Sequence, residues 1–163
     1  MLNKKVYDLL ISQINAEIYS AYLYYEFANI FHEKGLIGFA HYYEVQAKEE
    51  FEHAQKIRNY VIENNMSVRM EEIKKPDVKS EESLEIIKQA LAHEVYVTSL
   101  INKIYEAALE VKEYKTVEFL SWFVKEQVEE EANATALLGE FEALGKTNEG
   151  LYLLNKQLSK RED

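Results

Sequence analysis

The chain has 163 residues, 47% of them hydrophobic and 29% charged, with five glycines and one proline, a composition that allows a sizeable core and favours long helices over a turn-rich β fold. Its 19 basic and 29 acidic side chains leave a formal net charge of −10, which argues against nucleic acid, because phosphate binding needs a basic face, and suits either the handling of cations or plain solubility. No cysteine is present, which removes disulfides, thiolate catalysis, Cys-ligated iron–sulfur clusters and zinc ribbons, and fits a reducing cytoplasm.

Four long segments carry helical periodicity. The first runs from about Lys4 to Glu33, with Val6, Leu9, Leu10, Tyr24, Phe27 and Phe31 on one stripe, and Gly35 in "KGLIG" suits its C-terminus. The second covers about Gly38 to Asn64, its stripe passing through Phe39, Tyr42, Tyr43, Ile57, Tyr60 and Val61. The third starts after Ser80, where "SEES" offers N-caps, and carries Ile87, Leu91, Val97, Ile101, Ile104 and Ala108. The fourth, from about Thr116 to Leu144, shows Leu120, Phe123, Leu137 and Phe141. Leu151, Leu154 and Leu158 then mark a short fifth helix over about 149–159. The opening "MLNKKVYDLL" lacks an export stretch, and no run free of Asp, Glu, Lys and Arg exceeds nine residues, so neither secretion nor a membrane span is expected.

Connection lengths set the expected topology. Short turns make helices one and two, and helices three and four, antiparallel neighbours. Between helices two and three, "NMSVRMEEIKKPDVKSEE" could extend about 60 Å at roughly 3.3 Å per residue. A helix of about 28 residues is only some 42 Å long, so this linker can run the length of a bundle and leave helices two and three parallel. The expectation is one domain over 1–163: an all-α four-helix bundle over about 4–144, with a long crossover and a short fifth C-terminal helix.

The apolar stripes have polar members in their middle. Helix one reads Leu10, Gln13, Glu17, Tyr24, and helix two Tyr43, Gln46, Glu50, His53, Ile57. Helix three reads Leu91, Glu94, Val97, Ile101, and helix four Phe123, Gln127, Glu130, Ala134, Leu137. One glutamate on a seam is usually a rim carboxylate; four, one per helix and near mid-length, come to one level of the bundle. Buried together they oppose one another's ionisation. Two divalent cations would neutralise them, with His53 as a nitrogen ligand. A second acidic group, Glu49, Glu126 and Glu129 beside Glu130, reads either as an adjoining weaker cation site or as a solvated face. His32, His41 and His93 read as surface or boundary residues.

With these residues in view, the chain resembles the ferritins, specifically the haem-free bacterial and archaeal type, over essentially its full length. The resemblance rests on "LNKKVYDLLISQINAEIYSAYLYY", "FAHYYEVQAKEEFEHAQKI", "HEVYVTSLINKIYEAA", "TVEFLSWFVKEQVEEEANA" and "NEGLYLLNKQLS". It implies that Glu17, Glu50 and His53 form a first iron site and Glu50, Glu94 and Glu130 a second, bridged by Glu50, with Gln127 a non-ligating hydrogen-bonding neighbour. It implies a third, weaker iron site from Glu49, Glu126, Glu129 and Glu130, a tyrosine (Tyr24) close to the di-iron centre, and a nearby tryptophan (Trp122). It further implies a homo-oligomeric shell of 24 subunits that oxidises Fe(II) with dioxygen or peroxide and stores ferric oxide mineral. Helix four offers Q-x-x-E where the wider superfamily has a second E-x-x-H, which argues against bacterioferritin. The haem-ligating methionine of bacterioferritin would fall at Phe51, so no haem is expected. Rubrerythrin would need a cysteine-bearing iron domain, and the DNA-protecting mini-ferritins lack the fifth helix.

The residue types suit that chemistry. Carboxylates with one imidazole accept Fe(II) without locking it in as thiolates would, and two adjacent irons can give two electrons to dioxygen together. Other readings are a non-catalytic carrier of divalent ions, a non-storage di-iron peroxidase, and a metal-free structural bundle.

Overall fold

The computed structural model describes residues 1–162. Among them are five helices and no strand: α1 (Lys4–Glu33), α2 (Ile37–Glu63), α3 (Ser83–Glu110), α4 (Tyr114–Leu144) and α5 (Asn148–Leu158). None is long and apolar enough to cross a membrane.

Helix ends differ from the sequence expectation where capping is tertiary. Ser80 does not cap α3: its Oγ accepts the Glu82 N–H at 3.1 Å in the preceding turn, and Glu82 is the N-cap without a side-chain bond. The C-termini of α1, α2 and α3 share one device. Gly35 (φ 71) donates to the His32 carbonyl at 3.0 Å and Leu36 to that of Phe31 at 2.9 Å, the paired bonds of a Schellman end. Asn65 (φ 59) and Lys112 (φ 57) occupy the same left-handed position after α2 and α3, where a side chain is less comfortable than glycine.

The pairings follow the linker argument. Helices α1 and α2 are antiparallel, with His32 Nε2 2.7 Å from Glu44 near their turn. Helices α1 and α3 are also antiparallel: Lys5 Nζ meets Glu110 at 2.5 Å, and Ser20 Oγ meets His93 Nε2 at 2.7 Å. Consequently α2 and α3 run parallel. The linker follows α1 along its length. Tyr7 OH donates to the Ser67 carbonyl (2.8 Å), Asn15 Nδ2 to that of Glu72 (2.9 Å), and the Asp77 N–H to Tyr19 OH (3.1 Å).

Two apolar clusters fill the bundle. One gathers Phe27, Phe31, Phe39, Tyr43, Ile87, Leu137 and Phe141 beneath Leu154 and Leu158 of α5. The other gathers Val6, Leu10, Ile57, Val97, Ile101, Ile104, Leu120 and Phe123. Each large side chain buried there contributes about 1.5–3 kcal/mol. The first turn of α2 has no side-chain cap of its own; instead Asn155 Oδ1 accepts the Gly38 and Phe39 N–H groups at 2.8 and 3.2 Å. A Cβ on Gly38 would lie 1.7 Å from the Asn155 carbonyl oxygen. Glycine at 38 is therefore a condition for docking α5.

Candidate metal centre

Between the two apolar clusters lies a layer of buried polar side chains: Gln13 and Glu17 of α1, Gln46, Glu50 and His53 of α2, Glu94 of α3, and Gln127 and Glu130 of α4. Steps of three and four residues put each helix's members on one face. Glu17, Glu50, Glu94 and Glu130 are only 1%, 0%, 1% and 3% exposed, so they lie beyond the reach of bulk water.

Three of these carboxylates are held by neutral donors. Gln13 Nε2 donates to Glu17 Oε1 at 2.8 Å. Tyr24 OH donates to Glu94 Oε1, while Gln127 Nε2 donates to Glu94 Oε2 at 3.2 Å. Gln46 Nε2 donates to Glu130 Oε2 at 2.9 Å. Glu50 has no such partner. Both its oxygens, with Glu17 Oε2 and His53 Nδ1, are buried and have no hydrogen bond among the described residues, an arrangement that costs about 1–3 kcal/mol for each such atom. His53 Nδ1 stands 3.4 Å from Glu50 Oε2 and 3.8 Å from Glu17 Oε2, within ion-pair range.

The orphaned atoms and their neighbours converge. Ligand atoms of Glu17, Glu50 and His53 lie within 4.8 Å of one another, and so do those of Glu50, Glu94 and Glu130, and those of His53, Glu126 and Glu130. Glu50 is common to the first two groups. Two cations sharing Glu50 would satisfy every one of these unpaired oxygens and the imidazole nitrogen, so the donor set fits hard or borderline divalent ions.

Without a cation the layer stores protons. Burial, then the neighbouring Glu94 charge, pushes Glu50 well above the usual carboxylate range. Burial raises Glu94 also, and burial with the Glu94 charge takes Glu130 up to about 8. Burial opposes charge on His53 too, but the facing Glu17 and Glu50 carboxylates outweigh it and push the imidazole up to about 11. Glu17 feels the same burial, outweighed by His53, and its carboxyl is held low. Metal loading must therefore displace protons.

The outer acids are arranged differently. Glu126 turns Oε1 to 3.7 Å from His53 Nε2, whereas Glu129 is exposed and Glu49 is half-buried. Glu49 Oε2 pairs with Arg161 Nη2 at 3.1 Å. Trp122 packs edge-on to the His53 ring, centroids 5.5 Å apart, and Lys56 Nζ stands 3.7 Å over its indole. Of the other histidines, His32 is exposed, His41 meets the Arg161 carbonyl oxygen, and His93 bonds Ser20, burial taking its pKa down to about 4. None reaches the centre. Sequence reasoning put Gln13 and Gln46 on the seams but gave them no task, and it passed over Arg161. Helical spacing could have identified the glutamines, whereas nothing local distinguishes Arg161 from other tail residues.

Known proteins resemble this chain over nearly its full length. The model of the ferritin-like domain matches residues 7–144. A bacterial non-heme ferritin of Campylobacter jejuni is 35% identical over 158 residues, 97% of this chain and 95% of the relative. One of Staphylococcus aureus is 34% identical over 161 residues, 99% and 97% of the two chains. Among solved structures, an open-pore ferritin from the hyperthermophilic archaeon Archaeoglobus fulgidus superposes with a TM-score of 0.96 at 38% identity, covering 99% of this chain and 100% of its own. A humanized archaeal ferritin superposes equally well, with a TM-score of 0.96 at 40% identity, over 99% and 98% of the two chains.

Proposed function

This chain belongs to the ferritin family, and from that premise we propose that it is a ferroxidase that oxidises Fe(II) with dioxygen or peroxide and stores the product as ferric oxide mineral inside a homo-oligomeric shell. The observation that carries the reading is the convergence of buried ligand atoms on two adjoining positions that share Glu50, whose own two oxygens are unpaired.

Glu17, Glu50 and His53 hold one Fe(II), and Glu50, Glu94 and Glu130 hold the other. Tyr24 and Gln127 fix Glu94 from two sides, which leaves little freedom in the all-oxygen position. Each Fe(II) yields one electron, so the filled pair supplies the two that reduce dioxygen to peroxide, with two protons taken up. Loading displaces protons from the layer, with Glu130 and His53 among their sources. Glu126, with Glu130 and in turn Glu49 and Glu129, forms an outer and weaker position through which oxidised iron leaves. Kinship with non-haem ferritins supports an iron-handling role without haem, and a cytoplasmic, 24-subunit shell is the assembly this reading implies.

The test is stopped-flow absorbance and oxygen uptake on adding Fe(II) in air to wild type and Glu50→Ala. Fast oxidation by wild type and its loss in the variant are expected. Metal binding without oxygen uptake by wild type would favour a carrier. Size exclusion near roughly 460 kDa is expected for the shell, and a dimer-sized particle would favour a non-storage peroxidase.

A further inference from the structure

Arg161 lies beyond the end of α5, yet it is among the most firmly held cations of the chain. His41 Nε2–H donates to its carbonyl oxygen at 2.6 Å, and its Nη1 donates to the Tyr42 carbonyl at 3.3 Å. Its Nη2 donates both to Gln46 Oε1 at 2.5 Å and to Glu49 Oε2 at 3.1 Å, while the guanidinium carbon stands 4.4 Å over the Tyr42 ring. Asn155 anchors α5 to the start of α2 just upstream, so the tail arrives here by a fixed route.

A guanidinium has donors only. Gln46 must therefore turn its oxygen toward Arg161 and its NH₂ toward Glu130, the bond observed at 2.9 Å. Arg161 thus acts on the metal layer twice: through Gln46 on Glu130, and directly on Glu49. The direct contact has a consequence for the outer acids. Glu126 and Glu130 present ligand atoms to a common point with His53, but Glu49 does not share it. Its carboxylate already has a cation.

We propose that Arg161 is a resident counter-ion of the outer acidic group, occupying Glu49 in place of a metal ion and releasing it only when a divalent cation competes successfully. Occupancy of the outer position is then set by competition between the ion and the C-terminal segment, whereas the inner pair, which Arg161 reaches only through Gln46 at Glu130, keeps all its ligands and fills first. This rests on the assignment of inner and outer positions proposed above. The competition is physically balanced: the side chains of Arg161 and Glu49 are 19% and 28% exposed, so the pair is only moderately strong, and a doubly charged ion on several carboxylates can displace it.

The experiment is calorimetric titration of assembled, metal-free protein with Zn(II), comparing wild type, R161Q, R161K, E49Q and the R161Q/E49Q double variant. Two tight equivalents per subunit are expected in all five. The weaker outer step should tighten about fivefold in R161Q, change less in R161K, which keeps the charge but loses the fork, and show no gain when R161Q is added to E49Q. A merely structural role for the tail would not be coupled to Glu49 in this way. The inference is overturned by an outer step unaltered in R161Q, by an outer step missing from it, or by an equal gain in the E49Q background. Failure of wild type to bind the two inner equivalents is a different result, legible in the stoichiometry, and brings down the assignment of the centre together with this inference.

Discussion

Glu49 and Glu50 are neighbours in the chain, yet they belong to different electrostatic worlds. Glu50 is fully buried, has no hydrogen-bond partner for either oxygen and faces other acids. Glu49, one residue and about 100° of helix rotation away, is half-buried and neutralised by Arg161. Among the described residues and their described contacts, the inner layer therefore has no protein-supplied cation beyond a protonated His53, while the outer group carries its own. On the reading proposed above, the first arrangement calls for metal ions and the second makes them optional.

The sharpest way to break that contrast is Glu50→Ala. It removes the ligand that both proposed inner positions share, so the two tight equivalents should vanish and Fe(II) oxidation should fall by at least about 100-fold. The metal-free variant should keep its helicity by circular dichroism, so that the loss is one of chemistry and not of fold.

Gly38→Ala attacks the outer side alone. With the Asn155 carbonyl in the way of a new Cβ, α5 must shift or undock, costing about 3 kcal/mol, and Arg161 should leave Glu49 with it. Thermal melting should show the loss, and the inner equivalents should survive in a titration at lower temperature.

Acid–base behaviour sharpens the comparison further. Glu130 has a folded pKa of about 8 against an ordinary 4.5, so between those values the folded chain keeps a proton that the unfolded chain has lost. Stability of the metal-free protein therefore falls as pH rises through that window. His53, at about 11 against 6.5, acts in the same direction at higher pH. Glu17, held low, opposes this only on acidification, where stability is lost as it protonates. Melting of metal-free protein from about pH 6 to about pH 9 should show a falling midpoint, and Zn(II) should flatten or reverse the slope, since deprotonation favours the metal.

Tyr24→Phe removes one of the two groups holding Glu94 and should slow oxidation about 10-fold, with both inner equivalents still bound. Lys112→Gly touches neither region. It relieves a left-handed lysine and should stabilise the fold by about 0.5–1 kcal/mol with unchanged metal binding, a baseline against which the other shifts are read.

The inner layer was legible in sequence because helical periodicity is local. Glu17, Glu50, Glu94 and Glu130 interrupt four apolar stripes, and burying those stripes forces the interruptions inward together. The parallel course of α2 and α3 followed from linker length alone, and the end of α1 from Gly35. The start of α3 did not follow, because Ser80 bonds the turn before it. Nor did the cap of α2, which Asn155 provides from far along the chain. The partition of the acids into an uncompensated set and a neutralised one was likewise decided only in three dimensions. Sequence spacing says which carboxylates share a face, but the cation that reaches Glu49 comes from a tail 112 residues away, delivered by the docking of α5 against a helix start that only glycine leaves open.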